Sequence, residues 1–95
     1  MREDLRVADV RLVPANAEDQ RTGLVGFVSA TLNGRLRLGG LALRRTAAGR
    51  CRLSFPVRDD GAGRRWALVR PIDDAARRDI EKQVFAAIGL EDLEA

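Results

Sequence analysis

The chain has 95 residues, 45% of them hydrophobic, with a formal net charge of +3, one cysteine, no histidine and no tyrosine. This length predicts a single domain over residues 1–95, with a structured core over about 5–90, that buries about 60–65% of its unfolded surface, so stability is modest and a partner subunit would help. The composition excludes an internal disulfide and the usual histidine chemistry, and with no run of about 18 apolar residues it excludes a helical membrane span.

Residues 5–13, LRVADVRLV, read as a first strand, with Ala8, Val10 and Leu12 on one face and Asp9 and Arg11 on the other. Pro14 ends it, because proline cannot donate to a ladder. Residues 15–22, ANAEDQRT, are polar and read as a loop. Residues 23–32, GLVGFVSATL, form a second strand, rich in β-branched and aromatic residues. Leu24, Val28, Ala30 and Leu32 share one face, and Val25 and Phe27 the other, which predicts a central strand covered on both sides. Asn33-Gly34 tolerates positive φ and predicts a two-residue type I′ hairpin turn. That register sets Thr31 against Leu36 and Ser29 against Leu38 on the Phe27 side, with Arg35 and Arg37 opposite.

Gly39-Gly40 breaks or bulges the return strand. A short strand LALRR and the alternation Cys51, Leu53, Phe55 then predict a second hairpin over residues 41–55, with a turn at 46–49 and a stop at Pro56. Cys51 falls on the apolar side and reads as a buried thiol. Residues 57–65, VRDDGAGRR, read as a mobile basic loop, and residues 66–69 as a last strand. Arg70 is extended, as the residue before a proline must be. Asp73 is an N-cap, and Ala76, Ile80, Val84, Ala87 and Ile88 follow helical spacing over about 15 residues. Arg77, Arg78, Glu81 and Lys82 lie opposite, with Arg77 and Arg78 paired to Asp73 and Asp74. Gly89 and Leu90 form a Schellman closure against Phe85, and residues 91–95 a frayed acidic tail. Phe27, Phe55, Ile80 and Val84 belong to the core. The predicted fold is α+β: an antiparallel sheet of five to six strands followed by one C-terminal helix packed on a sheet face.

Catalysis finds little support. Ser29 and Ser54 sit in predicted strands with no histidine to activate them, and the one thiol lacks such a partner too. Phosphate-loop and Cys/His metal spacings are missing. Asp59-Asp60 and Asp73-Asp74 read as a turn pair and a helix cap in preference to magnesium ligands. A non-enzymatic protein without cofactor or metal is expected. The N-terminal ten residues lack the apolar core of a signal peptide, so a cytoplasmic location is the expectation.

Charge by segment is more informative. Residues 1–20 carry net −2, residues 21–72 net +9 and residues 73–95 net −4. A basic middle between acidic ends points to an anionic partner, most often nucleic acid. The abundance of arginine also fits a GC-rich coding bias. Arg58, Arg64 and Arg65 on the loop are the first candidates for phosphate contact, and Arg44, Arg45, Arg50 and Arg52 around the second hairpin extend the patch. Trp66 reads as core or interface before base stacking. An exposed sheet edge is the expected dimerisation surface. The alternative is a protein-interaction module whose arginines meet an acidic partner.

The order of these segments resembles the stage V sporulation protein G (septation regulator) family over residues 7–88. VADVRLV stands where the family opens with V-T-D-V-R-L, SATLN where it has S-I-T-L-D, LALRR at its I-R-V strand and RLSFP at F-V-A-M-P. The spacing from Pro56 to Pro71 is kept, with Gly63 at the glycine of the family's P-D-G turn. The helix DDAARRDIEKQV follows N-S-x-x-R-x-x-I-x-x-A-V through Arg77, Ile80 and Val84. The resemblance implies a homodimeric, non-enzymatic α+β domain that binds DNA and RNA, with roles in regulation linked to septation, sporulation or virulence. Arg58 stands at the family's loop lysine. The chain departs from the pattern at Asp59 and at Trp66-Ala67, where the family carries arginine and then Arg-Asp. It departs again at Arg70, where the family carries histidine.

Overall fold

In the computed structural model, which describes residues 5–89, apolar alternation in the middle of the chain builds the sheet that everything else covers or extends. Four strands, β1 (Val7–Pro14), β2 (Leu24–Leu32), β3 (Leu36–Arg45) and β4 (Cys51–Ser54), form an antiparallel sheet in chain order. A separate two-stranded sheet joins β5 (Val57–Asp59) to β6 (Arg65–Ala67). Two helices complete the fold, α1 (Ala17–Arg21) and α2 (Asp74–Ala87). The α+β architecture with a C-terminal helix on a sheet face agrees with the expectation from sequence. Leu90 and the acidic residues 91–95 lie outside the described residues.

Helix α2 covers one face of the main sheet. Its Ile80, Val84 and Phe85 pack with Val28, Leu41, Leu43, Cys51 and Leu53, several of them fully buried. Asp73 caps the helix as expected, accepting from the N–H of Ala76 at 2.8 Å. On the face away from α2, Phe27 is 47% exposed, so β2 is not covered on both sides there and Phe27 is not a core residue.

Three local features depart from the sequence reading. Residues 15–22 contain α1, because Asn16 accepts from the N–H of Asp19 at 2.7 Å and acidic side chains occupy the first turn. In β1, Asp9 takes a φ of 54° and the register shifts between Ala8 and Arg11. That bulge sends Val7, Val10 and Leu12 to the core side, and leaves Ala8 exposed with Arg11 and Val13.

The third concerns the first hairpin. Asn33 and Gly34 do take positive φ, but Leu32 pairs with Leu36, so Arg35 joins the loop. The register is one residue away from the expected one, and a one-residue slip exchanges the two faces of a strand. Thr31 therefore faces Arg37, and Leu38 goes into the core opposite Ala30. Gly40, at φ 72°, bulges β3 without breaking it, so the expected two strands are one.

The segment 57–65 is a β-hairpin arm and not a loop. Asp60 accepts from the N–H groups of Ala62 at 2.8 Å and Arg64 at 3.2 Å, closing the turn. Trp66, 52% exposed, is not in the core.

Both edges of the main sheet are capped by α2. Gln83 accepts from the N–H of Val7 and donates to the carbonyl of Leu5 on the β1 side. On the β4 side, Glu81 accepts from the N–H of Leu53 and Arg77 donates to the Leu53 carbonyl. Arg77 pairs with Glu81 at 3.6 Å and lies over the Phe55 ring, so the expected pairing with Asp73 is not formed. Arg77 and Glu81, expected to face solvent, thus close the β4 edge, whereas Arg78 and Lys82 are exposed as expected.

Candidate nucleic-acid interface

The expected arginines fall into three groups. Arg44 and Arg52 are direct cross-strand partners in β3 and β4, on the sheet face away from α2. Both are exposed, and among the described residues neither is in an ion pair. Like charges directly opposite across a ladder repel, so the pair costs stability unless an anion neutralises it. Arg45, paired with Cys51, and Arg50 flank the turn at the end of the same hairpin, where the N–H of Thr46 donates to the Arg50 carbonyl.

The third group lies on the β5–β6 arm, and the arm divides it. Arg58 is the partner of Trp66, whereas Arg65 is the partner of Asp59 and forms an ion pair with it at 3.3 Å. Alternation puts those two pairs on opposite faces of the arm. Arg64 lies in the turn between the strands. Arg58 and Arg64 are exposed and, among the described residues, without a carboxylate partner. Asp60 fixes the turn, and its Oδ2 also accepts from the Trp66 indole at 3.4 Å. The Ala62 N–H is the chief cause that holds the Asp60 carboxyl below its ordinary value of 3.8, opposed by desolvation and helped by the Arg64 N–H and the indole.

The arm carries exposed apolar side chains, Val57 and Trp66, and the segment between it and α2 carries more, Leu68, Val69 and Ile72; the five are 38–87% exposed. A two-stranded sheet is marginal in water by itself, so such a surface asks for something to pack on.

Two further arginines lie on the open sheet face. Arg11, opposite Val10 and Leu12 as its alternation predicts, faces Ser29. Arg37, expected on the other face, lies across β2, donating to Thr31 Oγ1, Ser29 Oγ and the Asp9 carbonyl, each at 2.8 Å. Arg37 also sits 3.7 Å from the Asp9 carboxylate. The sequence signal for Arg37 was the hairpin loop length: a three-residue loop in place of two brings it to this face.

Among the described residues no cluster of His, Cys, Asp or Glu is arranged to hold a metal ion, and no helix is long and apolar enough to cross a membrane. Compared with known proteins, the chain matches no family model and no curated sequence.

Proposed function

We propose that this protein is a non-enzymatic, homodimeric nucleic-acid-binding regulator that meets phosphate groups through its arginines. The observation that carries this reading is the Arg44–Arg52 pair on an open sheet face, which among the described residues has no carboxylate partner, as is true of Arg58 and Arg64 on the β5–β6 arm. Guanidinium groups held side by side without carboxylates suit a polyanion, and phosphate contacts give affinity without sequence choice. The resemblance to the stage V sporulation protein G family points the same way, with Arg58 at the family's loop lysine. A regulatory role in septation or sporulation rests on that resemblance alone.

Dimer formation through a sheet edge falls to the β5–β6 arm in this reading, because α2 side chains occupy edge groups of both β1 and β4. The apolar residues of the arm would be covered by the partner.

Binding of DNA and RNA is measured by gel shift as salt is raised. Four phosphate contacts predict that duplex affinity falls about a hundredfold between 50 and 200 mM salt. Replacing Arg44, Arg52, Arg58 and Arg64 by Gln removes most of that dependence. No binding at low salt, or binding indifferent to those four changes, overturns the reading. A protein-interaction role with an acidic partner is the second reading, favoured by the apolar arm beside Arg58 and Arg64. Nuclease-treated pull-downs that retain a partner, lost on Arg58 and Arg64→Gln, would support it.

A further inference from the structure

Phe27 sits in the middle of the open sheet face, 47% exposed, with Val13, 65% exposed, directly opposite it on β1. Arg11 and Arg37 lie towards the end of β2 near Thr31, and Arg44 and Arg52 towards the end near Leu24. An apolar strip with one aromatic ring is thus bounded on both sides by cations. Neighbouring strands lie about 4.8 Å apart and alternate residues on one face about 6.8 Å apart, so Arg44 and Arg11 each have their Cα about 8 Å from that of Phe27. Among the described residues one carboxylate, Asp9, pairs with these arginines, and it engages Arg37 only. Arg37 is already fixed by hydrogen bonds to Thr31 and Ser29, so little ordering is needed when an anion arrives.

We infer that this face binds a single strand of DNA or RNA, one base stacked on Phe27 and the adjoining phosphates on the arginine pairs either side. The inference rests on the nucleic-acid reading above and adds the form of the ligand and the surface that takes it. Duplex bases are stacked on one another and offer no free ring face to Phe27, whereas an unpaired strand does. A flat sheet face with an aromatic ring suits that contact, and the flanking cations supply affinity that does not depend on base identity. A second copy of the chain fits this face less well, because its own open face and arm are basic too.

Fluorescence anisotropy with labelled oligo-dT, oligo-U and a duplex of equal length tests it, on the intact chain at two salt concentrations. The expected result is tighter binding of the single strands. Phe27→Ala weakens single-strand binding fivefold or more, in line with a lost stacking contact of about 1–3 kcal/mol. The same variant leaves duplex binding unchanged, and Phe27→Tyr keeps single-strand affinity. Arg44→Gln with Arg52→Gln, which does not touch the ring, lowers the single-strand salt slope by about 1.4. If nucleic acid is bound but the folded Phe27→Ala chain binds single strands as the parent does, this inference fails and the arginine reading stands. If no nucleic acid binds at low salt, both fail. If Phe27→Ala changes the oligomeric state in sedimentation, the face is a subunit contact and the inference is overturned.

Discussion

Gln83 of α2 reaches across to β1 and accepts the Val7 N–H at 2.9 Å, while its own amide donates to the Leu5 carbonyl at 2.8 Å. One side chain therefore satisfies a donor and an acceptor that an edge strand would otherwise leave open. It also ties the C-terminal helix to the start of the chain. Gln83→Ala removes both bonds from a part-buried place, so stability falls by about 1–3 kcal/mol in urea unfolding. The same change leaves a bare edge, and the variant should self-associate more at high concentration. An unfolding midpoint equal to that of the parent would show that the clamp contributes nothing.

The matching clamp on β4 uses two residues. Arg77 donates to the Leu53 carbonyl at 2.6 Å, and Glu81 accepts the Leu53 N–H at 2.9 Å. The two also pair with each other, Arg77 resting on Phe55. Removing Glu81 alone strands a half-buried guanidinium, so Glu81→Ala should cost about 1–3 kcal/mol. Arg77→Met, which keeps the contact with Phe55 but not the charge, should cost about 1–2 kcal/mol. The double variant should cost less than the sum, because the residues share one site. Additive losses in the double-mutant cycle would mean that the pair does not act as a unit.

The helix and the core strands were legible because their signals are long: Asp73 caps a run in which Ala76, Ile80 and Val84 follow one period, and Cys51 and Leu53 alternate cleanly. The faces of β1 and β3 were not, because a bulge at Asp9 and a third loop residue at Arg35 each shift the side-chain phase. Single-residue irregularities of that kind depend on the paired strand as much as on local sequence. The third loop residue is also what moved Arg37 to the open face, so the site was half visible. Arg44 and Arg52 could be placed near one hairpin, but their direct opposition needed the register. The role of Arg77 and Glu81 was hidden because it depends on where the helix lies over the sheet, which no local pattern encodes.

The opposed Arg44 and Arg52 make stability and binding move in opposite directions. Without ligand, replacing either by Gln relieves like-charge repulsion, so the protein should gain about 0.2–1 kcal/mol in low-salt unfolding. The gain should shrink as salt screens the pair. With nucleic acid present, the same replacement weakens binding. A surface whose arginines are merely solvated would show neither effect. Loss of stability in the unliganded variant would instead mean that the pair is supported by contacts of its own.

Acid should open the β5–β6 arm before it unfolds the sheet. Asp60 makes its bonds to Ala62, Arg64 and Trp66 as a carboxylate, and its folded value lies below the ordinary 3.8. Protons therefore bind the unfolded form more readily, and the stabilising contribution is complete above about pH 4 and lost as pH falls through the lower folded value. Trp66 is the only tryptophan, so its fluorescence reports on the arm directly. A titration from pH 7 to pH 2 should show a transition in Trp66 emission with its midpoint below 3.8, while far-ultraviolet circular dichroism from the helix holds. Asp60→Asn keeps an acceptor oxygen but has no charge to lose, so its emission should be flat over the same range. A midpoint at or above the ordinary carboxylate value, or an unchanged transition in Asp60→Asn, would assign the acid response to another group and leave Asp60 as a simple turn residue.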